Sequence, residues 1–155
     1  MKNRYKISIL MLLAACFFVF SGCSARSAAT PDEFQSKAEE IGYTVTSQDI
    51  SGMDNISSYL QAEKGSAKII FVEYKELSKA KEAYASLKSS IKSTIRIDSP
   101  KEQVLDSDTY CKYIVSVGDM YHAAVLNSNT MFYAKATSGD QAEIEQLLKD
   151  IEYLS

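Results

Sequence analysis

Four apolar residues in a row, Ile69-Ile70-Phe71-Val72, constrain this fold more than any other stretch. Successive strand residues point to opposite faces of a sheet, so such a run needs cover on both. It fits a strand at the centre of a covered sheet, or one crossed by a helix on one face and a loop on the other. The strand is expected over Ala67 to Tyr74. Ahead of it, Lys64-Gly65-Ser66 reads as a tight turn. Ser57 to Glu63 alternates weakly, with Ser58, Leu60 and Ala62 on one side. An antiparallel hairpin over 57–63 and 67–74 follows from that pattern.

Met1 to Cys23 is a different kind of segment. Lys2, Arg4 and Lys6 make a positive start, and Ile7 to Phe20 follows without a charge. That run is short for a membrane span, which needs about 20 residues. It has the layout of a secretory signal. Its end, Phe20-Ser21-Gly22-Cys23, resembles the lipobox of bacterial lipoproteins: an aliphatic residue, two small residues, then Cys. Ser21, Gly22 and Cys23 match the pattern, while Phe20 departs from the Leu, Val or Ile usual there. The resemblance implies lipidation of the Cys23 thiol by a diacylglycerol, cleavage before Cys23 and acylation of the new amino end. Two acyl chains suffice for stable anchoring, at about 0.8 kcal/mol per buried methylene. The implied partner is thus the membrane, reached through lipid on Cys23, and the implied location its extracytoplasmic face. The alternative is an ordinary secreted chain cut near Ala25 or Ala28. The expected organisation is a signal over 1–22, a small polar tether over 23–29 and one domain over 30–155.

Removing residues 1–22 leaves 133 residues, enough for one domain with a real core. The signal carries three of the 17 basic residues and none of the 20 acidic ones, so 14 remain against 20, a net charge of −6. An acidic domain with no block of like charges is a poor candidate for nucleic acid, which needs clustered Lys and Arg, and no nucleic-acid partner is expected. Cys16 leaves with the signal and lipid takes Cys23, so Cys111 stands alone and the core must hold the domain without a disulfide.

Thr30-Pro31-Asp32-Glu33 is a capping box with Pro at the first helical position, and Gly42 is a stop. A helix is expected over Pro31 to Ile41 and a strand over Tyr43 to Ser47. Asp49 to Asn55 reads as a loop. Leu77, Ala80, Ala83, Tyr84, Leu87 and Ile91 mark a helix over Leu77 to Ser93. Thr94 to Ser107 is irregular, with a short helical turn conceivable at Ser99-Pro100-Lys101-Glu102. Three strands follow over 109–118, 121–126 and 130–136. Ser138 and Gln141 signal the cap of a last helix bearing Ile144, Leu147, Leu148, Ile151 and Leu154. An offset of 62 overlays Tyr59 on Tyr121, Ala62 on Ala124, Ser66 on Ser128 and Ala80 on Ala142, which suggests αβββ twice and then a helix. The fold class expected is α+β: an antiparallel sheet with helices packed on one face.

Little in the chain points to chemistry. His122 is the sole histidine, with no carboxylates at ligand spacing and no spaced nucleophile. Asp98, Asp106 and Asp108 do not match an EF-hand loop. Ser89-Ser90-Ile91-Lys92 holds Ser-x-x-Lys without a companion motif. Cys111 falls in the alternation Cys111, Tyr113, Val115, Val117 and reads as a small buried hydrophobe. No cofactor and no metal is implied. Ten tyrosines stand out, of which Tyr110, Tyr121 and Tyr133 offer a possible binding surface against the blander reading of half-buried strand residues. The function expected is a membrane-anchored binding or accessory module that meets an envelope protein or small ligand through its sheet face or the loops 49–56 and 94–108. The alternative is an envelope hydrolase with carboxylates assembled from those loops.

Overall fold

The structure, a computed structural model, describes residues 27–95 and 100–155. Met1 to Arg26, including Cys23, and Asp98-Ser99 in the loop read as irregular lie outside the described residues. Helix α1 (Pro31–Glu40) starts as its sequence dictates. The Glu33 amide donates to Thr30 Oγ1 at 3.2 Å and the Thr30 amide donates to Glu33 Oε2 at 2.7 Å. It ends where Gly42 takes φ +91°, and the Tyr43 amide closes on the Ala38 carbonyl at 3.0 Å. Strands β1 (Thr44–Ser47), β2 (Ile56–Lys64) and β3 (Ala67–Tyr74) follow, then helix α2 (Leu77–Thr94). Strands β4 (Lys101–Asp106), β5 (Tyr110–Val117), β6 (Met120–Asn127) and β7 (Thr130–Thr137) precede a 3₁₀ turn, Ser138–Asp140, and helix α3 (Gln141–Asp150). At that turn Asp140 takes hydrogen bonds from the Thr137 amide and hydroxyl, so the cap sits one residue earlier than Ser138.

The seven strands form one antiparallel sheet in the order β1-β2-β3-β7-β6-β5-β4. The chain is therefore an α+β fold on an antiparallel sheet. The helices, however, lie on both faces rather than one. On the first face α1 and α3 bring Phe34, Ala38, Ile144, Leu147 and Leu148 against Leu60, Ile69, Phe71, Val125 and Phe132. On the second, α2 brings Ala80, Tyr84 and Ile91 against Val72, Tyr113, Val115, Leu126 and Met131. The Ile69–Val72 run supplies the reason. Ile69 and Phe71 serve one face, Ile70 and Val72 the other, and β5 and β6 are as two-sided. Leaving either face bare would forfeit about 1.5–3 kcal/mol for each large apolar side chain.

The offset of 62 does not survive as a structural repeat. Tyr59 belongs to the second face and Tyr121 to the first; Ala62 and Ala124 are likewise opposed. A rotation that carries β3 onto its antiparallel neighbour β7 keeps each residue on its own face, so these letters cannot be equivalent. The second meander also has a fourth strand, β4, where an irregular segment was expected.

The sheet has two distinct ends. At one end the Lys75 amide reaches the Asn55 carbonyl, the Ser128 amide the Thr109 carbonyl, and the Tyr74 amide the Asn129 carbonyl. The chain enters here. Asn127, 2% exposed, donates its side-chain amide to the Ser27 carbonyl at 2.8 Å, and Ala29 is buried. The tether expected over 23–29 is thus packed from Ser27 onward. At the other end lie the Lys64–Ser66 turn, Gly118-Asp119 and the start of β4, with the Ser138 amide bonded to the Asp119 carbonyl.

Candidate functional site

Strand β4 is the edge next to β5, and all six of its residues are exposed. It holds its place through backbone pairing with β5, from Lys101 opposite Ser116 to Asp106 opposite Cys111. Three of its four polar side chains are engaged by neighbouring residues. Glu102 accepts from the Tyr113 hydroxyl at 2.7 Å, and Asp106 accepts from Lys88 Nζ of α2 at 2.7 Å. Gln103 accepts from Lys112 Nζ at 3.3 Å. Lys88 and Lys92 also sit over the Tyr113 ring, 5.9 and 5.3 Å from its centroid. What remains unengaged is Lys101 at the start of the strand and an apolar pair, Val104 and Leu105, each 48% exposed on opposite faces of the strand. An edge strand also offers outward backbone donors and acceptors.

Clefts border this edge. One of about 530 Å³ lies between β4 and the start of α3, lined among others by Lys101, Gln103, Ile114, Ser116 and Gln141. Another, about 440 Å³, lies between β4 and α2, where Lys81, Tyr84, Lys88, Asp106, Ser107 and Cys111 meet. Tyr84 lines it, and its buried hydroxyl has no hydrogen-bond partner among the described residues. Burial raises the pKa of this hydroxyl, and Asp106 adds to the effect. Cys111 is buried there, its Sγ donating to the Ser107 carbonyl at 3.4 Å, as a packed small side chain does.

The tyrosine surface does not form. Tyr110 and Tyr121 are buried on the first face; the Tyr110 hydroxyl donates to the Tyr153 carbonyl at 2.6 Å and that of Tyr121 to Glu145 at 3.4 Å. Tyr133 is half-buried on the second face, where its hydroxyl meets His122 Nδ1 at 3.1 Å. Strand alternation separates them: 110 and 121 fall on one side of the sheet and 133 on the other. His122 is 7% exposed, and burial, then Lys135, holds its pKa below the ordinary value.

The carboxylates of the two loops are not brought together among the described residues. The loops at 49–55 and 107–109 flank β2 and β5, and β2 and β5 are separated by β3, β7 and β6. Four strand spacings put them roughly 19 Å apart. Glu33, Asp49 and Glu63 have displaced pKa values, all downward, through Thr30, Ser51 and Lys68 respectively. A general acid needs the opposite displacement. Among the described residues no group of three metal-ligating side chains occurs, and no helix is long and apolar enough to cross a membrane.

The β4 edge had no signal in the sequence beyond Val104-Leu105 inside a polar stretch. No family model and no curated protein matches the chain. Among solved structures it is similar to a crystal structure from Thermotoga maritima described as a GTP binding regulator, at 18% identity and a TM-score of 0.49, over 83% of this chain and 91% of that one.

Proposed function

We propose that this protein is a lipid-anchored module on the extracytoplasmic face of a bacterial membrane that binds a partner protein along the open edge of β4. Anchoring is supported by the positive start, the apolar run and Ser21-Gly22-Cys23. Binding is supported by one observation above the rest: Val104 and Leu105 are half-exposed on an uncovered edge strand, beside Glu102, Gln103 and Asp106, whose side chains are already engaged. An extended peptide adding a strand there gains backbone hydrogen bonds from the ladder and side-chain specificity from the flanking clefts.

Two measurements test the reading. The full chain, expressed in a bacterial host, should fractionate with membranes and have the intact mass of an acylated chain starting at Cys23. Cys23→Ser should release it or leave it unprocessed, and a membrane fraction unchanged by that substitution would remove the anchor. A photo-cross-linker in place of Val104 should give one discrete protein adduct in cells, absent with the same group at Lys37 on α1. Equal adducts from both positions would remove the β4 edge as the binding surface.

A further inference from the structure

We infer that the tether fixes which end of the domain faces the bilayer, and that the cleft at the start of β4 is held on the far side. This rests on the anchoring reading above. The argument is one of reach. Asn127 grips the Ser27 carbonyl at 2.8 Å, and Ala28 and Ala29 continue along the surface into a buried Ala29. The Tyr153 hydroxyl meets Thr130 Oγ1 in the same corner. Only four peptide units separate Ser27 from Cys23, a span of at most about 14 Å. The acyl chains therefore draw the Ser27 end of the sheet to the membrane surface. That end carries the 48–55 loop, with Met53 41% exposed, and the turns at 107–109 and 128–129.

Charge does not produce this orientation. Asp32, Glu33, Asp54, Asp108, Asp150 and Glu152 toward the Ser27 end are interspersed with Lys37, Lys79, Lys81 and Lys88, so anionic headgroups meet no surface of a single sign there. Covalent reach is what brings this end to the membrane surface. The opposite end, with Ser66 and Gly118, stands one strand length farther out, about 25 Å for eight residues. The cleft lined by Lys101, Gln103 and Gln141 lies at that outer end. Its partner approaches from the aqueous side.

The test uses the full chain, processed in the host, extracted with its lipid and reconstituted into phosphatidylethanolamine–phosphatidylglycerol vesicles containing a rhodamine-labelled lipid. In a Cys111→Ser background, a donor dye is placed at Met53→Cys or at Ser66→Cys. Energy transfer to the bilayer should be at least twofold stronger from position 53. Inserting 20 Gly/Ser residues between Arg26 and Ser27 adds a mean reach of about 25 Å and should shrink the difference. Equal or reversed transfer overturns the orientation, as does a difference that the insertion leaves intact, because the surface rather than the tether would then set it. Intact mass on the same sample separates the two claims. A chain without acyl mass refutes the anchor, while an acylated chain with equal transfer refutes the orientation alone.

Discussion

The ring of Phe34 lies stacked on that of Phe71, their centroids 4.8 Å apart and their planes 9° from parallel. Phe132 meets Phe34 edge-on at 6.1 Å, so α1 is held to β3 and β7 by one three-ring cluster. All three rings are fully buried. Phe34→Ala removes the ring and leaves a cavity that rigid strands cannot close, at a cost of about 3–5 kcal/mol. Urea denaturation should show that loss as a lower midpoint with an unchanged slope. A change below about 1 kcal/mol would mean that α1 does not dock on the sheet as described.

Cys111 sits at 6% exposure under α2, with one weak hydrogen bond to the Ser107 carbonyl. Cys111→Ser keeps a donor for that carbonyl but buries a more polar group, for a loss of about 1–2 kcal/mol. The variant should still fold and still yield the Val104 adduct. A thiol reagent should label native Cys111 only after denaturant is added. Rapid native labelling, with loss of the adduct in a folded Ser variant, would make the thiol a functional group.

His122 gives the domain a pH dependence of known sign. Its folded pKa lies below the ordinary 6.5 because burial, and then Lys135, disfavours the imidazolium. Above pH 6.5 both folded and unfolded chains carry it neutral, and its full contribution is present. As pH falls below 6.5 the unfolded chain takes up the proton first, so stability declines until the folded pKa is passed. Urea midpoints between pH 7.5 and 5.5 should fall for the native chain and fall less for His122→Gln. Parallel curves would assign the decline to other groups.

Val104 and Leu105 carry no folding role that their exposure would not already discount. Val104→Thr with Leu105→Thr keeps β-propensity and removes the apolar surface. The pair should alter stability by no more than about 0.5 kcal/mol per site. With the photo-cross-linker moved to Gln103, adduct yield should fall several-fold. Undiminished yield would place the contact elsewhere.

Much of this fold was legible before any coordinates. Thr30, Pro31 and Glu33 announced α1 and Gly42 its end, because local hydrogen bonding decides caps. The spacing of Leu77 to Ile91 announced α2, and the turns at Gly65, Gly118 and Ser128 placed five of the seven strands. Two things were not legible. Strand β4 has no alternation because none of its side chains is buried; its partner β5 makes it a strand, and pairing leaves no mark on composition. The division of helices between faces was present in Ile69–Val72, which demanded cover on both sides, yet the run could not say what would cover each. The tyrosines show the same limit from the other direction. Tyr110 and Tyr121 look like surface anchors by type, but pairing register decides which face each meets, and the helices packed on that face decide burial.

The pairing of β3 with β7 has a consequence for how this chain reaches its native state. From Lys68 opposite Lys135 to Glu73 opposite Thr130, it is the one ladder in the sheet that joins residues before α2 to residues after it. Every other ladder links strands adjacent in sequence and closes over a turn of two or three residues or, between β1 and β2, the 48–55 loop. The two meanders can therefore assemble separately, while the seam between them must wait for closure of a loop of about 60 residues, costly in chain entropy. Until it closes, each half exposes an apolar strand edge. A chain that emerges from its amino end, in synthesis or in the export proposed above, holds β1 to β3 in that state until β7 follows, so the interval before the seam forms is when it is most open to mispairing with its own copies.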